Sequence, residues 1–311
     1  EHHQRRVPAV GSEAVFMKLL LLGADGQVGW ELRRSLASLG ELIACDRSMA
    51  NLEDQEQLRS LIQLVSADVV VNAGAYTAVD RAESEPELAK RINADAPGVI
   101  AEECKRLGAL MVQYSTDYVF DGEKDSPYVE TDAPNPQSVY GSTKLQGEQA
   151  IQASGCKYLI FRTSWVYSNR RSNFVRTILR LAQERESLSI VSDQIGVPTS
   201  AAMIADATAR CIEQAVNADG PSGLFHLTPA GETSWHGFAS YFLELARSGG
   251  MELKADEIRA IGTDEFPCAA DRPMNSRLCC DKIRDAFGVE LPEWRFHVRE
   301  LIATMLQQEN A

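Results

Sequence analysis

The segment Met17-Lys-Leu-Leu-Leu-Leu-Gly-Ala-Asp-Gly-Gln-Val-Gly29 decides the fold. Its uninterrupted leucines, Leu19–Leu22, predict a short strand that is buried on both faces, because a half-exposed strand would alternate apolar and polar residues. The glycines that follow predict a tight turn. Apolar residues then recur every three or four positions from Val28 to Leu39, which predicts an amphipathic helix.

The same succession of strand and helix is repeated downstream. Short apolar runs predict further strands at Leu42–Cys45, Asp68–Asn72, Leu110–Tyr114 and Tyr158–Phe161. Helical spacing predicts helices near Gln55–Leu64, after Pro86 and around Tyr140–Ala153. Strands that alternate with helices favour a Rossmann-type, doubly wound parallel sheet, so the predicted fold class is α/β.

The second half of the chain has a different character. Proline-containing loops separate helices predicted near Ser200–Val216, Trp235–Ala246 and Trp294–Leu306. We expect residues 17–166, together with about 194–222, to form the Rossmann domain. Residues 167–193 and 223–311 are expected to form a smaller mixed α/β lobe that closes over the carboxyl edge of the sheet. Residues 1–16 carry no periodic pattern and are expected to be a disordered tail or an artificial extension.

Composition excludes several classes of function. The 311 residues contain 31 Lys and Arg against 44 Asp and Glu, which gives a net charge of −13. A surface this acidic disfavours binding to nucleic acid or to an anionic membrane. No run approaches the roughly 20 apolar residues of a membrane-spanning helix. Seven scattered cysteines without C-x-x-C spacing favour reduced thiols, and hence a cytoplasmic location.

The glycine turn has the context of a phosphate-binding loop. Gly23, Gly26 and Gly29 lie between the first strand and the first helix, where amides at the helix start can bind a pyrophosphate. Asp46 ends the second strand about 20 residues later, as expected for an acid that binds a ribose. Asp46 favours NAD and the adjacent Arg47 suits NADP, so both cofactors stay open. A purely structural turn is the alternative.

A tyrosine and a lysine are placed for proton transfer. Tyr140 and Lys144 lie four residues apart on one helix face, so the lysine charge can stabilise a phenolate. Thr116 follows a predicted strand at the carboxyl edge of the sheet, where α/β folds bind ligands. Its hydroxyl can bond the carbonyl oxygen that Tyr140 protonates. The alternatives are a tyrosine stacked on a lysine stem and a threonine that caps a strand end.

Six ordered segments between Met17 and the end of the chain carry a resemblance. They are Gly23–Glu31, Asn72–Asp80, Tyr114–Gly122, Val139–Lys144, Phe161–Tyr167 and Arg272–Leu278. With these segments the chain resembles the extended short-chain dehydrogenase/reductase superfamily and, within it, the dTDP-4-dehydrorhamnose reductase family. That resemblance implies reduction of the C4 ketone of a dTDP-sugar by NADPH or NADH, in a monomer or homodimer.

The resemblance also implies roles for individual residues. Tyr140 is the expected proton donor, Lys144 the partner that binds the cofactor and tunes acidity, and Thr116 the ligand of the carbonyl oxygen. The expected cofactor contacts are Gly23, Gly26, Gln27, Val28, Gly29, Asp46, Arg47, Asn51, Leu52, Gly74, Ala75, Tyr76, Tyr140 and Lys144. The expected substrate contacts are Thr77, Val79, Thr116, Asp117, Trp165, Arg272 and Arg277.

Two further inferences depend on departures from related patterns. Some family members are dimers bridged by a divalent metal such as Mg²⁺. Glu31 and Glu293 are candidate ligands here, but Ala202 stands where another carboxylate is expected.

Sugar-nucleotide 4,6-dehydratases and epimerases are the nearest alternative enzymes. Dehydratases typically carry two acidic residues after the threonine, whereas Tyr118 follows Asp117 here. A non-catalytic role, like that of the regulatory subunit of methionine adenosyltransferase, is the alternative from a different class.

Overall fold

The computed structural model describes residues 17–309, so the predicted tail at residues 1–16 lies outside the described residues. In chain order its strands are β1 (Met17–Leu22), β2 (Gly40–Cys45), β3 (Val69–Asn72), β4 (Leu110–Thr116), β5 (Lys157–Thr163), β6 (Val166–Tyr167), β7 (Ser187–Val191), β8 (Ile195–Gly196), β9 (Thr199–Ser200), β10 (Gly223–His226), β11 (Thr233–Ser234) and β12 (Glu257–Ile261).

Helices occupy most of the segments between the strands. They are α1 (Gln27–Leu36), α2 (Gln55–Val65), α3 (Val79–Ala82), α4 (Pro86–Lys90), α5 (Ala96–Leu107), α6 (Val139–Ser154), α7 (Phe174–Glu184), α8 (Ala201–Ala215), α9 (Trp235–Ser248), α10 (Asp281–Phe287) and α11 (Trp294–Glu309). A π-helical turn, Arg91–Asp95, joins α4 to α5. Across residues 17–309, no helix has the length and apolar character needed to cross a membrane.

Six parallel strands form the central sheet, in the order β2-β1-β3-β4-β5-β10. From β1 the chain moves outward to β2 and then returns across β1 to β3. Connections therefore run in opposite directions from the β1–β3 boundary, which creates a crevice at the carboxyl ends of these two strands. The predicted doubly wound α/β fold is confirmed.

The four leucines of β1 are divided between the two faces of the sheet. Leu19 and Leu21 pack in the hydrophobic cluster that includes α1 and α8, whereas Leu20 and Leu22 pack in the cluster that includes α2 and α5. All four side chains are completely buried. Side chains alternate across a strand, so a sheet covered by helices on both faces needs an apolar residue at every position.

A third hydrophobic cluster is built by residues from Tyr167 to Ile302, on α7, α9, α11 and neighbouring strands. It lies in the region predicted to form the smaller lobe, and the two-lobe division stays a prediction. One boundary differs from the structure, because β10 belongs to the central sheet although residues 223–226 were expected in the smaller lobe. Leu224 and Phe225 explain the difference, since they bury apolar side chains on opposite faces of that sheet.

Leu20→Ala tests the importance of the doubly buried first strand. Removing a fully buried leucine side chain leaves a cavity and is expected to lower the free energy of unfolding by ~2–5 kcal/mol. Leu64→Ala is the control, because Leu64 on α2 is 83% exposed and its loss should change stability by less than about 0.5 kcal/mol. Urea unfolding followed by circular dichroism measures both, and equal effects would contradict the packing described here.

Candidate active site

The turn after β1 touches the turn after β3 with no side chain between them. Gly23 has a φ of +73°, a conformation that favours glycine, and a Cβ on it would lie 2.5 Å from the amide nitrogen of Gly74. A Cβ on Gly74 would in turn lie 2.7 Å from the Leu52 side chain. The three expected cofactor residues Gly23, Leu52 and Gly74 are therefore brought together at the crevice.

Helix α1 presents its amino end to this crevice. Gly26 precedes the helix and offers no side-chain cap, so the first-turn amides, including those of Gln27 and Val28, remain suited to an anion. The Gln27 side chain is fixed from the other direction, because its Oε1 accepts hydrogen bonds from Ser168 Oγ at 2.9 Å and Asn173 Nδ2 at 3.0 Å. A side-chain-free cradle and unpaired helix amides fit the pyrophosphate of a nicotinamide dinucleotide.

Asp46 and Arg47 follow the carboxyl end of β2, beside this loop. Asp46 Oδ1 accepts hydrogen bonds from the backbone and hydroxyl of Ser48 and from the Met49 amide, and the Ser48 bonds are the main reason that its pKa is lowered. The carboxylate therefore stays charged at neutral pH. Arg47 pairs with Glu53, and Asn51 Oδ1 accepts the Glu53 amide at 3.2 Å.

The loop after β3 is fixed by the π-helical turn. Asn93 accepts a hydrogen bond from the Tyr76 amide at 2.8 Å and donates one to the Tyr76 carbonyl at 3.0 Å. Ala75 lies within this anchored loop. Thr77 is exposed, and Val79 begins α3 directly afterwards. The bulge in the helix thus holds the backbone of the expected cofactor residues.

Two polar side chains meet where β4 ends. Thr116 caps a short 3-10 turn by accepting the Tyr118 amide at 3.2 Å, and its hydroxyl is hydrogen-bonded to the Tyr140 phenol. Helix α6 approaches this turn closely because Gly141 has no side chain; a Cβ there would lie 2.1 Å from the Tyr118 carbonyl oxygen. Thr116 and Tyr140 are therefore together, as the sequence predicts.

The sequence suggests that Lys144 helps Tyr140 to release its proton near neutral pH, whereas the surroundings of Tyr140 in the structure favour the protonated phenol. Burial raises the pKa of its phenol above the ordinary value, and the hydrogen bond with Thr116 opposes that rise only in part. The Lys144 ammonium donates a hydrogen bond to the Tyr114 carbonyl at 2.6 Å. Burial lowers the pKa of Lys144 to about 8.

Asp117 is a buried carboxyl group beside this pair. Its Oδ1 accepts the Thr116 hydroxyl at 3.1 Å, whereas its Oδ2 is buried and has no hydrogen-bond partner. Burial raises the pKa of Asp117 to about 6, although hydrogen bonds from Ser276 and Thr116 oppose the rise. A buried carboxyl oxygen without a hydrogen-bond partner is uncommon in folded proteins and indicates a functional position.

The segment Arg272–Leu278 crosses the carboxyl edge of the sheet. Arg272 donates to the Tyr118 hydroxyl at 2.9 Å and pairs with Asp80 at 2.6 Å. The Tyr118 ring meets Tyr140 edge-on, with ring centroids 5.5 Å apart. Arg272 thus reaches the site through Tyr118.

Arg277 anchors the far end of the same segment. It donates to the Asp125 carbonyl at 2.7 Å and pairs with Glu232 at 3.0 Å. These partners hold the segment against the loop that precedes α6. Arg277 therefore anchors the segment, whereas Arg272 contacts Tyr118, the neighbour of Tyr140.

Trp165 has an unusual backbone conformation, with a φ of +47°. Its indole stacks on Trp235 with centroids 3.7 Å apart and an interplanar angle of 14°. Gly196 makes the stack possible, since a Cβ there would lie 2.6 Å from the Trp165 ring. A left-handed tryptophan is strained and is held by its surroundings, a situation common at ligand sites.

The structure does not support a metal site. Residues 17–309 contain no group of three or more His, Cys, Asp or Glu side chains placed to hold an ion. Glu31 is surrounded by Arg34, Asp206 and Arg170, whereas Glu293 pairs with Arg295. Ala202 contributes no ligand atom from its side chain.

Sequence reasoning missed four residues that complete the site. They are Asp80, Tyr118, Trp235 and Ser276. Asp80, Tyr118 and Ser276 lie inside segments that were singled out, but the pairing of Arg272 with Asp80 joins positions 192 residues apart. No local pattern indicates such a pair.

Known proteins resemble this chain over nearly all of its described length. The family model of the RmlD substrate binding domain matches residues 17–307. The dTDP-4-dehydrorhamnose reductase of Burkholderia thailandensis is 49% identical over 298 residues, covering 94% of this chain and all of that protein. The Escherichia coli K12 protein of the same name is 46% identical over 290 residues, covering 92% and 97%.

A solved structure extends the likeness to three dimensions. The crystal structure of dTDP-4-dehydrorhamnose reductase from Bacillus anthracis in complex with NADP superposes with a TM-score of 0.86 at 32% identity, covering 93% of this chain and all of that one. Family model, full-length relatives and fold agree: this chain is a member of the dTDP-4-dehydrorhamnose reductase family.

Proposed function

We propose that this protein is an oxidoreductase that reduces the C4 ketone of dTDP-4-dehydro-β-L-rhamnose to dTDP-L-rhamnose with NADPH or NADH. The observation that carries this proposal is the hydrogen-bonded pair of Tyr140 and Thr116 beside a crevice that fits a dinucleotide. The names of the full-length relatives supply the substrate.

Tyr140 donates the proton that completes the reduction. The turn after β1 and Lys144 would hold a nicotinamide dinucleotide, which would supply a hydride to C4. Thr116 orients the carbonyl oxygen, and Tyr140 gives that oxygen its phenolic proton as the C–O double bond becomes a single bond. A raised pKa suits this role, because it keeps the proton on the phenol throughout the neutral pH range.

Lys144 and Asp117 support this transfer from opposite sides. Lys144, an ammonium below a pH of about 8, binds the cofactor ribose and supplies positive charge beneath the site. Asp117 accepts a sugar hydroxyl at its unpartnered Oδ2. Thr77, Val79 and Trp165 complete the sugar pocket.

Arg272 is the arginine of the 272–278 segment that faces the substrate diphosphate. A protein with a net charge of −13 has to place cations locally to bind a nucleotide sugar. Arg272 serves this purpose directly, and burial among Tyr118 and Asp80 holds it in position. Arg277 keeps the segment anchored. We assign the enzyme to the cytoplasm, where nicotinamide cofactors are available, as a monomer or homodimer.

The proposed reaction is tested by following nicotinamide oxidation with freshly prepared dTDP-4-dehydrorhamnose. One nicotinamide should be oxidised for each ketone consumed, with NADH and NADPH compared in parallel. Tightly bound cofactor without net oxidation would instead indicate a dehydratase or epimerase. Co-purification with a synthetase and no ketone reduction would indicate a regulatory subunit.

Tyr140→Phe should lower kcat by ~10²–10⁴, because the reaction loses its positioned proton donor. Cofactor affinity should stay nearly unchanged, as measured by quenching of tryptophan fluorescence. Tyr158→Phe is the matched control, since Tyr158 lies near the start of β5, at the opposite end of that strand from Thr163. Normal turnover of Tyr140→Phe would place the proton donor elsewhere.

Asp46→Asn should raise the ratio of kcat/KM for NADPH over NADH by at least about tenfold, because it removes a carboxylate that repels a 2′-phosphate. Asparagine keeps an acceptor for the Ser48 and Met49 amides, so the turn should survive. Asp54→Asn, at the cap of α2, controls for the loss of one negative charge. An unchanged ratio would show that Asp46 does not contact the ribose.

Asp117→Asn should stabilise the protein at pH 7.5 by ~1–3 kcal/mol. Burial raises the folded-state pKa of Asp117 from 3.8 to about 6. The free energy of unfolding of the wild type therefore rises as the pH falls from about 6 towards 3.8, and it falls again as the pH is raised through that window. Urea unfolding at pH 5 and pH 8 should therefore show the larger benefit of Asp117→Asn at pH 8. A benefit confined to pH 5 would be inconsistent with a buried, ionised carboxylate.

A further inference from the structure

A buried ion pair lies beneath the catalytic helix. Glu148 on α6 and Arg162 on β5 are 2% and 3% exposed, and they form a two-pronged pair with distances of 2.9 Å and 2.6 Å. Burying two charges costs free energy that a surface pair would not. The roles proposed above do not use this pair, so its presence beside them needs an explanation.

Glu148 connects the pair to Lys144. The two residues are four positions apart on α6, so their side chains project from the same face of the helix. Burial alone lowers the pKa of Lys144, and the negative charge of Glu148 opposes it. Arg162 is not among the groups that shift this pKa.

Glu148 also connects α6 to β4. Its Oε1 accepts a hydrogen bond from the Ser115 hydroxyl, and Ser115 directly precedes Thr116. On β5, Arg162 is the register partner of Ser115. One carboxylate therefore fastens the helix that carries Tyr140 and Lys144 to the strand that carries Thr116.

The charged or polar groups named around Lys144 belong to α6, β4, β5 and the turn after β4. They are Tyr140 and Glu148 on α6, Ser115, Thr116 and the Tyr114 carbonyl on β4, Arg162 on β5, and Asp117 and Tyr118 in the turn after β4. Two of these groups favour the ammonium form: Glu148 through its negative charge, and the Tyr114 carbonyl through the hydrogen bond that it accepts from the ammonium at 2.6 Å.

We propose that Glu148 is a positioning residue that keeps Lys144 charged and locks the Thr116 strand to the Tyr140 helix. Arg162 makes this possible, because it lets a carboxylate stay ionised in the interior. The proposal deepens the function proposed above and rests on it for the kinetic consequence. Its electrostatic part concerns the apo protein and is tested separately.

Glu148→Gln removes the charge and keeps an acceptor for Ser115. The pKa of Lys144 should fall by at least about one unit. It is read in protein labelled with [6-¹³C]lysine, by the pH dependence of the signal that disappears in Lys144→Met. This measurement needs no substrate. An unchanged titration of Lys144 overturns the proposal, even if the enzyme is active.

The kinetic consequence is a shift of the pH profile. A fall of about one unit from a pKa near 8 lowers kcat about fivefold at pH 8 and leaves it nearly unchanged at pH 6. A loss that is equal at every pH indicates a structural role alone and overturns the proposal. If the wild type reduces no sugar while the Lys144 titration shifts as expected, the proposed function fails and the electrostatic assignment stands.

Two further variants separate charge from folding. Glu103→Gln is the matched control. Glu103 is as buried as Glu148 and pairs with Arg59 and Arg106, but it lies on α5. The pH profile of kcat for Glu103→Gln should match that of the wild type. If Glu148→Gln fails to fold, the double variant Glu148→Gln/Arg162→Gln leaves no unpaired charge. It should show the same downward shift, and a wild-type profile in that folded protein overturns the proposal.

Discussion

The direct contact between the turns after β1 and β3 is the constraint on which the site depends. Gly23 and Gly74 touch through backbone atoms, and any side chain at Gly23 would force the two strand ends apart. The sheet order places this contact where connections diverge, so the crevice and the amino end of α1 share one origin. Leu22, the last residue before the turn, is fully buried and fixes where the turn begins.

Charge buried beneath the crevice works against stability. Lys144 and Glu148 are almost completely enclosed, and Asp117 has an oxygen with no partner. An apolar interior would be more stable than such a set of groups. The arrangement is consistent with a protein that accepts lower stability to hold an ammonium, a phenol and a hydroxyl in fixed relation at the edge of its sheet.

The sequence predicted the features that arise from local pattern. Leu19–Leu22 indicated a doubly buried strand, and Thr116 and Tyr140 were expected together because each lies at a recognisable position of a parallel fold. Features that depend on distant contacts were not predictable. The membership of β10 in the central sheet depends on how Leu224 and Phe225 are covered, and the high pKa of Tyr140 depends on its burial. Arg272 and its partners Asp80 and Tyr118 are more than 150 positions apart in the sequence.

The stacked indoles of Trp165 and Trp235 have an optical consequence. Trp165 follows the last long strand of the sheet, whereas Trp235 begins α9, which belongs to the separate hydrophobic cluster. Indoles 3.7 Å apart and nearly parallel couple their excited states, which gives a paired far-ultraviolet dichroism signal. The coupling depends steeply on the distance between the two rings. The dichroism of this protein therefore reports directly on the position of α9 relative to the end of β5, without an added label.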